Sequence, residues 1–274
     1  MMSVTADYHL HTSFSTDGKA SPEEMIQGCI DKGLKTICIT DHYDMDFPYY
    51  EELGENAFTF DIDKYFRTLK ELKEKYKRKI DINIGVEAGL QPHLGDYYNG
   101  MVHKYPFDFV IGSVHLVNGE DPYIGNMFDI KKDEEVYRQT FEETLKSVKS
   151  VKDIDVLGHI DYIVRYGKTK NQFYSYDKYK DIIDEILKTL IYNGKGIEMN
   201  MAGFKYKLGY CHPHPDIISR YKELGGEIIT VGSDGHAPDQ VAYNYKEAGD
   251  ILLNCGFKYY TVFKERKPVF VEIK

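Results

Sequence analysis

The chain has 274 residues, 42% of them hydrophobic, and a formal net charge of −9, with a pI near 5.6. Its length and apolar content suit one domain over residues 1–274 with a full core, a size at which α/β barrels commonly run as one unit. The acidic balance argues against a nucleic-acid partner, because no basic field recruits a long duplex. A small anion stays open wherever local cations or metals invert the potential inside a cleft. Cys29, Cys38, Cys211 and Cys255 lack CxxC spacing, so free buried thiols in a reducing cytosol are expected. No run of about 18 apolar residues is present to span a membrane. No charged stretch leads into an apolar core as a signal peptide would, so a cytoplasmic location is expected.

In chain order, a first strand over Val4–Leu10 leads to a helix opened by Ser21-Pro22-Glu23-Glu24, with Ser21 as N-cap, Pro22 at N1 and Glu24 at N3, and closed by Gly33. Thr36–Thr40 is the second strand, and Asp61–Lys77 a long charged amphipathic helix. Ile80–Val86 and Phe107–Val114 are the third and fourth strands, followed by a helix over Asp133–Lys149. Asp155–Gly158 is the fifth strand, and the helix Asp177–Asn193 closes at Gly194. Gly196–Met199 is the sixth strand, His214–Leu224 a helix ending at Gly225-Gly226, and Glu227–Gly232 the seventh strand. Lys258–Phe263 and Val269–Ile273, around Arg266-Lys267-Pro268, form a terminal hairpin, an edge or a barrel plug. Strand and helix repeated seven times imply parallel strands with right-handed crossovers. A closed or nearly closed barrel accounts for this better than an open doubly wound sheet. Its chemistry would sit at the C-terminal strand ends.

Those strand ends are where imidazoles and carboxylates accumulate. His9-Leu10-His11 puts two imidazoles on one face of a strand, because side chains alternate with period 2. Asp17 follows in a polar loop, where turn chemistry at Asp17-Gly18 competes as its explanation. His42 lies just past the second strand, with Asp41 beside it to orient an imidazole or to sit as a loop acid. Glu87 ends an unusually apolar strand, where two oxygens sharing one charge suit bridging between cations. His115, His159, Asp234 and His236 close the fourth, fifth and seventh strands. Singly, each is as well explained by a satisfied histidine or a solvated acid; jointly, at matching positions, they indicate a metal site. Nine donors exceed one tetrahedral ion and suit two or three. Imidazole with carboxylate and no thiolate favours Zn, Mn or Fe. Ions about 3.5–4 Å apart suit phosphate-ester hydrolysis by acidifying a shared water and neutralising phosphoryl charge.

The series HxH, Thr-Asp-His, strand-end Glu, Gly-Ser-Val-His, Gly-His-Ile-Asp and Gly-Ser-Asp-x-His resembles the PHP (polymerase and histidinol phosphatase) family, from residue 5 to about 270. The Gly-Ser-Val-His and Arg165-Tyr166 segments are most similar to its histidinol-phosphate phosphatases. The resemblance implies a distorted, TIM-like (β/α)7 barrel with three metals and, by match of motif, three ligand sets. His9, His11, Glu87 and Asp234 would hold one ion, Glu87, His115 and His159 a second, and Asp17, His42 and His236 a third. Gly235 departs from the family, where many relatives carry Ala. The implied reaction is hydrolysis of L-histidinol phosphate, a small-molecule phosphate monoester, to L-histidinol and phosphate, with a metal-bridging hydroxide as nucleophile.

Phosphate not held by metal needs a cation, and Arg165 is the residue the resemblance supports; Lys168, Lys170, Lys205 and Lys207 are further loop cations. The proton for the leaving alcohol is expected from a bound water, or from Asp17 or His42 where they are not wholly committed as ligands. Tyr43, Asp44, Asp46, Glu120, Asp121, Phe204 and Tyr206 are open as receivers of an ammonium or imidazole. Asn200 lines the pocket or caps its loop. His93, His103, His212 and His214 read as surface or loop residues, and His212-Pro213-His214 is not expected to bind metal. The competing functions are a PHP-type phosphodiesterase or exonuclease, a phosphatase for another small ester, an amidohydrolase and a non-enzymatic metal binder. The amidohydrolase reading lacks a strand-end lysine. A homo-oligomer stays open.

Overall fold

A computed structural model describes residues 2–274. In order, the elements are β1 (Ala6–Asp7), α1 (Pro22–Asp31), β2 (Thr36–Ile39), β3 (His42–Tyr43), α2 (Ile62–Tyr76), β4 (Asp81–Gly89), α3 (Gly95–Lys104), β5 (Phe109–Ser113), α4 (Met127–Ile130) and α5 (Asp133–Ser150). They continue with β6 (Val156–Leu157), α6 (Lys180–Tyr192), β7 (Gly196–Asn200), α7 (Ala202–Lys205), α8 (Pro215–Glu223), β8 (Ile229–Gly232), α9 (Tyr245–Asn254), β9 (Tyr259–Lys264) and β10 (Lys267–Glu272). The main sheet runs β1-β2-β4-β5-β6-β7-β8, with β3 paired onto β4. Every pairing in it is parallel.

The seam between β8 and β1 is joined by backbone hydrogen bonds from Tyr8 N to Val231 O, Asp234 N to His9 O and His11 N to Gly235 O, at 2.9, 3.0 and 2.9 Å. The expected seven-stranded distorted barrel is therefore present, with β3 as a small addition. Strand β1 is regular for only two residues, because the ladder breaks after it. Tyr8 and His9 are adjacent, yet both reach inward. The Tyr8 hydroxyl accepts from Asn83 Nδ2 at 3.0 Å and donates to Phe263 O at 2.8 Å, while His9 meets Glu87 and Glu198. Regular alternation would send one of the two outward.

The terminal hairpin plugs the N-terminal end of the barrel. Glu265 and Arg266 form its two-residue turn, both with left-handed φ of 50° and 63°, the geometry that fits strand twist. Arg266 donates to Asp155 Oδ2 at 2.5 Å and to Asp153 O at 2.6 Å, just ahead of β6. The Phe109 ring sits between Tyr8 and Phe263, with centroids 5.3 and 5.0 Å away. The opposite end of the barrel stays free for chemistry.

The Ser21–Glu24 capping box forms as expected, Asp61 caps α2 and His214 caps α8. Helix α6 begins at Lys180 rather than Asp177, because a 3₁₀ turn over Tyr176–Tyr179 precedes it. Helices α3 and α9 were not expected. Two glycines dilute the helical signal of α3, and Asn244 ahead of α9 is left-handed and makes no side-chain cap. All four cysteines are free and buried.

Asp7 locks the seam from outside the barrel. It accepts from Ser233 N at 3.0 Å, Ser233 Oγ at 2.6 Å and Ala242 N at 3.1 Å. Replacing it with Ala strands those buried donors. Asp7→Ala is expected to lower unfolding stability by about 3 kcal/mol, read from the urea midpoint at unchanged slope. A loss below about 0.5 kcal/mol, the size of an ordinary surface change, contradicts the clamp.

Candidate metal centre

Each parallel strand delivers one or two polar side chains to the C-terminal rim. His9 and His11 follow β1, and Glu87 lies inside β4 where every residue from Ile82 onward is buried. His42 opens β3, in register with Glu87. His115 and His159 follow β5 and β6, and Asp234 and His236 follow β8. Close approach depends on Gly232, where a Cβ would lie 2.4 Å from His9 Cβ and 2.3 Å from Glu198 Oε1. Asp234 adopts φ 52°, a left-handed backbone that Asp tolerates better than most residues.

All nine expected donors meet. The fully buried Glu87 carboxylate stands at the centre. Its Oε2 is 3.1 Å from His9 Nε2, 3.5 Å from His11 Nε2 and 2.8 Å from His42 Nδ1. Its Oε1 faces the other way, 3.2 Å from His115 Nε2 and 2.9 Å from His159 Nε2. Asp234 Oδ1 lies 3.4 Å from His11 Nε2. Asp17 Oδ2 lies 3.8 Å from His42 Nε2 and 3.2 Å from His236 Nε2. Tetrahedral coordination at 2.0–2.1 Å separates donors by about 3.3 Å, so these spacings fit ions between the side chains.

A second observation makes the same point. Among buried polar atoms, His9 Nε2, His11 Nε2, His42 Nδ1, His236 Nε2 and Glu87 Oε2 have no hydrogen-bond partner. They are near one another but misaligned for hydrogen bonding, as donors aimed at shared centres would be. Orphaned buried polar atoms cost about 1–3 kcal/mol each, and cations held among them would satisfy them.

Electrostatics follow from this crowding. Burial opposes charge on His9, yet Glu198, Glu87 and Asp234 outweigh it and hold the imidazole pKa well above its ordinary value. Burial, His236 and His42 push His11 well below it. Burial also opposes charge on His42, but Glu87 and Asp17 raise it to about 9. Glu87 would be raised by burial alone, but His9, His42 and His115 hold it well below the usual carboxylate range. Asp234 is lowered in the same way.

The supporting residues were largely illegible in sequence. Glu198, inside β7, takes His9 Nδ1 at 2.6 Å and His159 N at 3.0 Å. Asp44, weighed as a substrate contact, instead takes His115 Nδ1 at 2.7 Å. Such partners fix the imidazole's orientation and tautomer. Asp41 does not touch an imidazole. It clamps the loop after β1 by accepting from Thr12 N at 2.6 Å and Ser15 Oγ at 2.7 Å, and Ser15 Oγ is 3.3 Å from His11 Nδ1. Asn200 caps its loop, accepting from Ala202 N at 2.9 Å. His212 corrects its surface reading: it is fully buried, with Nδ1 2.7 Å from Asp161 Oδ1. His93 and His103 are exposed as expected.

Above the donors lies a cavity of about 530 Å³, lined by Asp17, His42, His115, His159, Asp234 and His236 on one side and by Arg165, Lys205 and Tyr206 on another. The Arg165 guanidinium packs on Tyr162, Tyr166 and Tyr206 at 5.0, 4.7 and 4.3 Å. It donates to Tyr166 Oη at 2.6 Å. No carboxylate lies within 4.0 Å of it among the described residues. Lys205, read as an ordinary loop lysine, reaches the same cavity and donates to Asp234 O at 3.2 Å and Gln240 Oε1 at 3.1 Å. Lys168, by contrast, pairs with Asp129 at 2.9 Å on the surface.

A barrel with imidazoles and carboxylates converging at its C-terminal rim defines a protein built to hold divalent metal. This chain belongs to the PHP domain family, whose model matches residues 7–202. It is 38% identical to a probable histidinol-phosphatase of Clostridium acetobutylicum, covering 97% of this chain and 96% of that one. It is 31% identical to a histidinol-phosphatase of Lactococcus lactis, covering 95% of each. A crystal structure of histidinol phosphate phosphatase from Lactococcus lactis, complexed with zinc, L-histidinol and phosphate, superposes with a TM-score of 0.87 at 30% identity, covering 97% of this chain and 98% of that one.

Metal binding must displace the protons that the carboxylates hold on His9, His42 and His115. Titrating Zn²⁺ into chelator-treated protein at pH 7 is expected to release protons, seen as a binding enthalpy that varies with the buffer's ionisation enthalpy. An enthalpy independent of buffer contradicts this. Glu87→Gln removes a charge that two donor groups share, and is expected to lower bound metal at least tenfold by metal analysis.

Proposed function

We propose that residues 1–274 form one metal-dependent phosphomonoesterase that hydrolyses L-histidinol phosphate to L-histidinol and phosphate. The observation that carries this reading is Glu87, whose two oxygens face separate groups of imidazoles below a cavity holding an arginine that meets no carboxylate among the described residues. The similarity to chains named histidinol-phosphatase along nearly their whole length supports the choice of substrate.

Three ions are assigned by match of motif: His9, His11, Glu87 and Asp234 would hold one, Glu87, His115 and His159 a second, and Asp17, His42 and His236 a third. In support, ligand atoms lie within reach of one another in the groups His9, His11 and Asp234; His9, Glu87 and His159; His42, Glu87 and His115; and His11, His42 and His236. Zn, Mn and Fe suit these ligands, and zinc is present in the Lactococcus structure. Such ions acidify water and neutralise phosphoryl charge when bound.

The chain's own groups do the rest. Arg165 is caged by three tyrosine rings and meets no carboxylate among the described residues, so its fork is free to take two phosphoryl oxygens. Lys205 adds a second cation on the same wall. Burial lowers its pKa despite the nearby Asp234 charge, and an anionic ligand offsets that shift. Asp17, with a side chain 44% exposed, is the donor most open to the cavity. Burial opposes its charge, but His42 and His236 hold its carboxyl well below the usual carboxylate range, so it meets the leaving alkoxide oxygen as an anion that orients a proton-donating water. The tyrosines and the apolar wall of Phe47, Leu53 and Phe58 exclude bulk water from the phosphoryl group.

Phosphate release from a panel of monoesters and diesters tests the assignment. Turnover of L-histidinol phosphate is expected to exceed that of p-nitrophenyl phosphate and its bis ester by at least tenfold in kcat/KM. Preference for the diester contradicts it and favours a phosphodiesterase. Arg165→Ala is expected to keep its metal and raise KM for L-histidinol phosphate at least tenfold, the worth of one charge-assisted pair of about 1.4 kcal/mol. An unchanged KM removes Arg165 from phosphate binding.

A further inference from the structure

The cavity has two chemically different ends, and the phosphatase reading uses only one. Four carboxylates line it: Asp17, Asp44, Asp121 and Asp234. Three are committed. Asp17 faces His42 and His236, Asp44 holds His115, and Asp234 faces His9, His11 and His236. Asp121 alone has no Lys, Arg or His within 4.0 Å among the described residues.

Its carboxylate is nevertheless fixed in place. Oδ1 accepts from Tyr123 N at 2.7 Å and Ile124 N at 2.9 Å, which leaves Oδ2 available. The Asp121 N–H donates to Tyr50 Oη at 3.1 Å, tying this loop to the one carrying Phe47 and Leu53. Behind it, Val117 and Glu120 exchange backbone hydrogen bonds at 2.9 and 3.1 Å around a turn with Asn118 and Gly119 at φ 51° and 77°. Glu120 does not compete for the role, because its Oε1 accepts from Asn126 N at 2.6 Å. The ordering cost of this loop is met before a ligand arrives.

We infer that Asp121 is the specificity-determining residue for the alcohol half of the substrate, accepting a hydrogen bond from a cationic nitrogen while Arg165 and Lys205 hold the phosphate. The substrate class is thus a phosphomonoester whose alcohol carries an ammonium or imidazolium group. The inference rests on the phosphomonoesterase reading and adds to it the reason for rejecting neutral esters. Such an ester puts nothing against Asp121, whose carboxylate loses water on binding and gains no partner. Phe47, Phe58 and Tyr123 give the cavity an aromatic, apolar lining for the carbon skeleton of the alcohol half.

Asp121→Asn tests this, because the amide oxygen keeps both backbone hydrogen bonds while the charge is lost. Two ester pairs are compared in kcat/KM: L-histidinol phosphate with p-nitrophenyl phosphate, and O-phosphoethanolamine with ethyl phosphate. The wild type is expected to prefer the cationic member of each pair, and the variant to lose that preference at least tenfold with bound metal unchanged. Asp121→Glu is expected to restore part of it. A wild type that ignores L-histidinol phosphate but prefers O-phosphoethanolamine, with the preference lost in Asp121→Asn, ends the histidinol assignment and sustains this one. Selectivity equal in wild type and variant, or no preference for the amine in either pair, overturns the role of Asp121.

Discussion

A fully buried carboxylate surrounded by five imidazoles is the constraint on which the rest of this molecule depends. Glu87 is 0% exposed and sits near the end of β4, at the C-terminal rim. An isolated anion there would be prohibitive. It is tolerable because the groups around it are cationic, or ligands for cations, and because its two oxygens serve different neighbours. Every other feature of the C-terminal rim aims or restrains the groups that compensate this charge.

The restraint comes from a second ring of carboxylates. Glu198 holds His9, Asp44 holds His115, and Asp41 holds the loop that carries Ser15 against His11. Each spends its charge orienting a neighbour. The site is therefore rigid on the donor side and charged on the cavity side, where Arg165, Lys205 and Asp121 remain to meet a ligand. The barrel makes this possible by leaving its N-terminal end to the hairpin and the Arg266–Asp155 pair. Stability and chemistry occupy opposite ends.

Much of this was legible in the chain. The HxH pair pointed to a shared centre by strand alternation, and both imidazoles do reach Glu87 Oε2, although they lie in the irregular stretch after β1. Strand-end positions then located Glu87, His115, His159, Asp234 and His236 on one rim. The ring behind them was not legible. Glu198 falls inside a strand and Asp44 in a loop, and neither carries a spacing that ties it to an imidazole dozens of residues away. His212 was misread because a proline-flanked HxH looks like a surface loop; its burial comes from pairing with Asp161, a tertiary contact. Lys205 looked like any loop lysine until α7 placed it over Asp234. The break in β1 was hidden for a similar reason: Tyr8 turns inward to reach Phe263, more than 250 residues along the chain.

Anomalous diffraction from crystals of the protein as purified, collected on either side of the zinc, manganese and iron edges, would locate any ions at the rim. Discrete metal peaks enclosed by the nine donors are expected, with the two Glu87 oxygens directed at different ions. Fully active crystals without such peaks, or with Glu87 turned away from the imidazoles, would contradict this expectation.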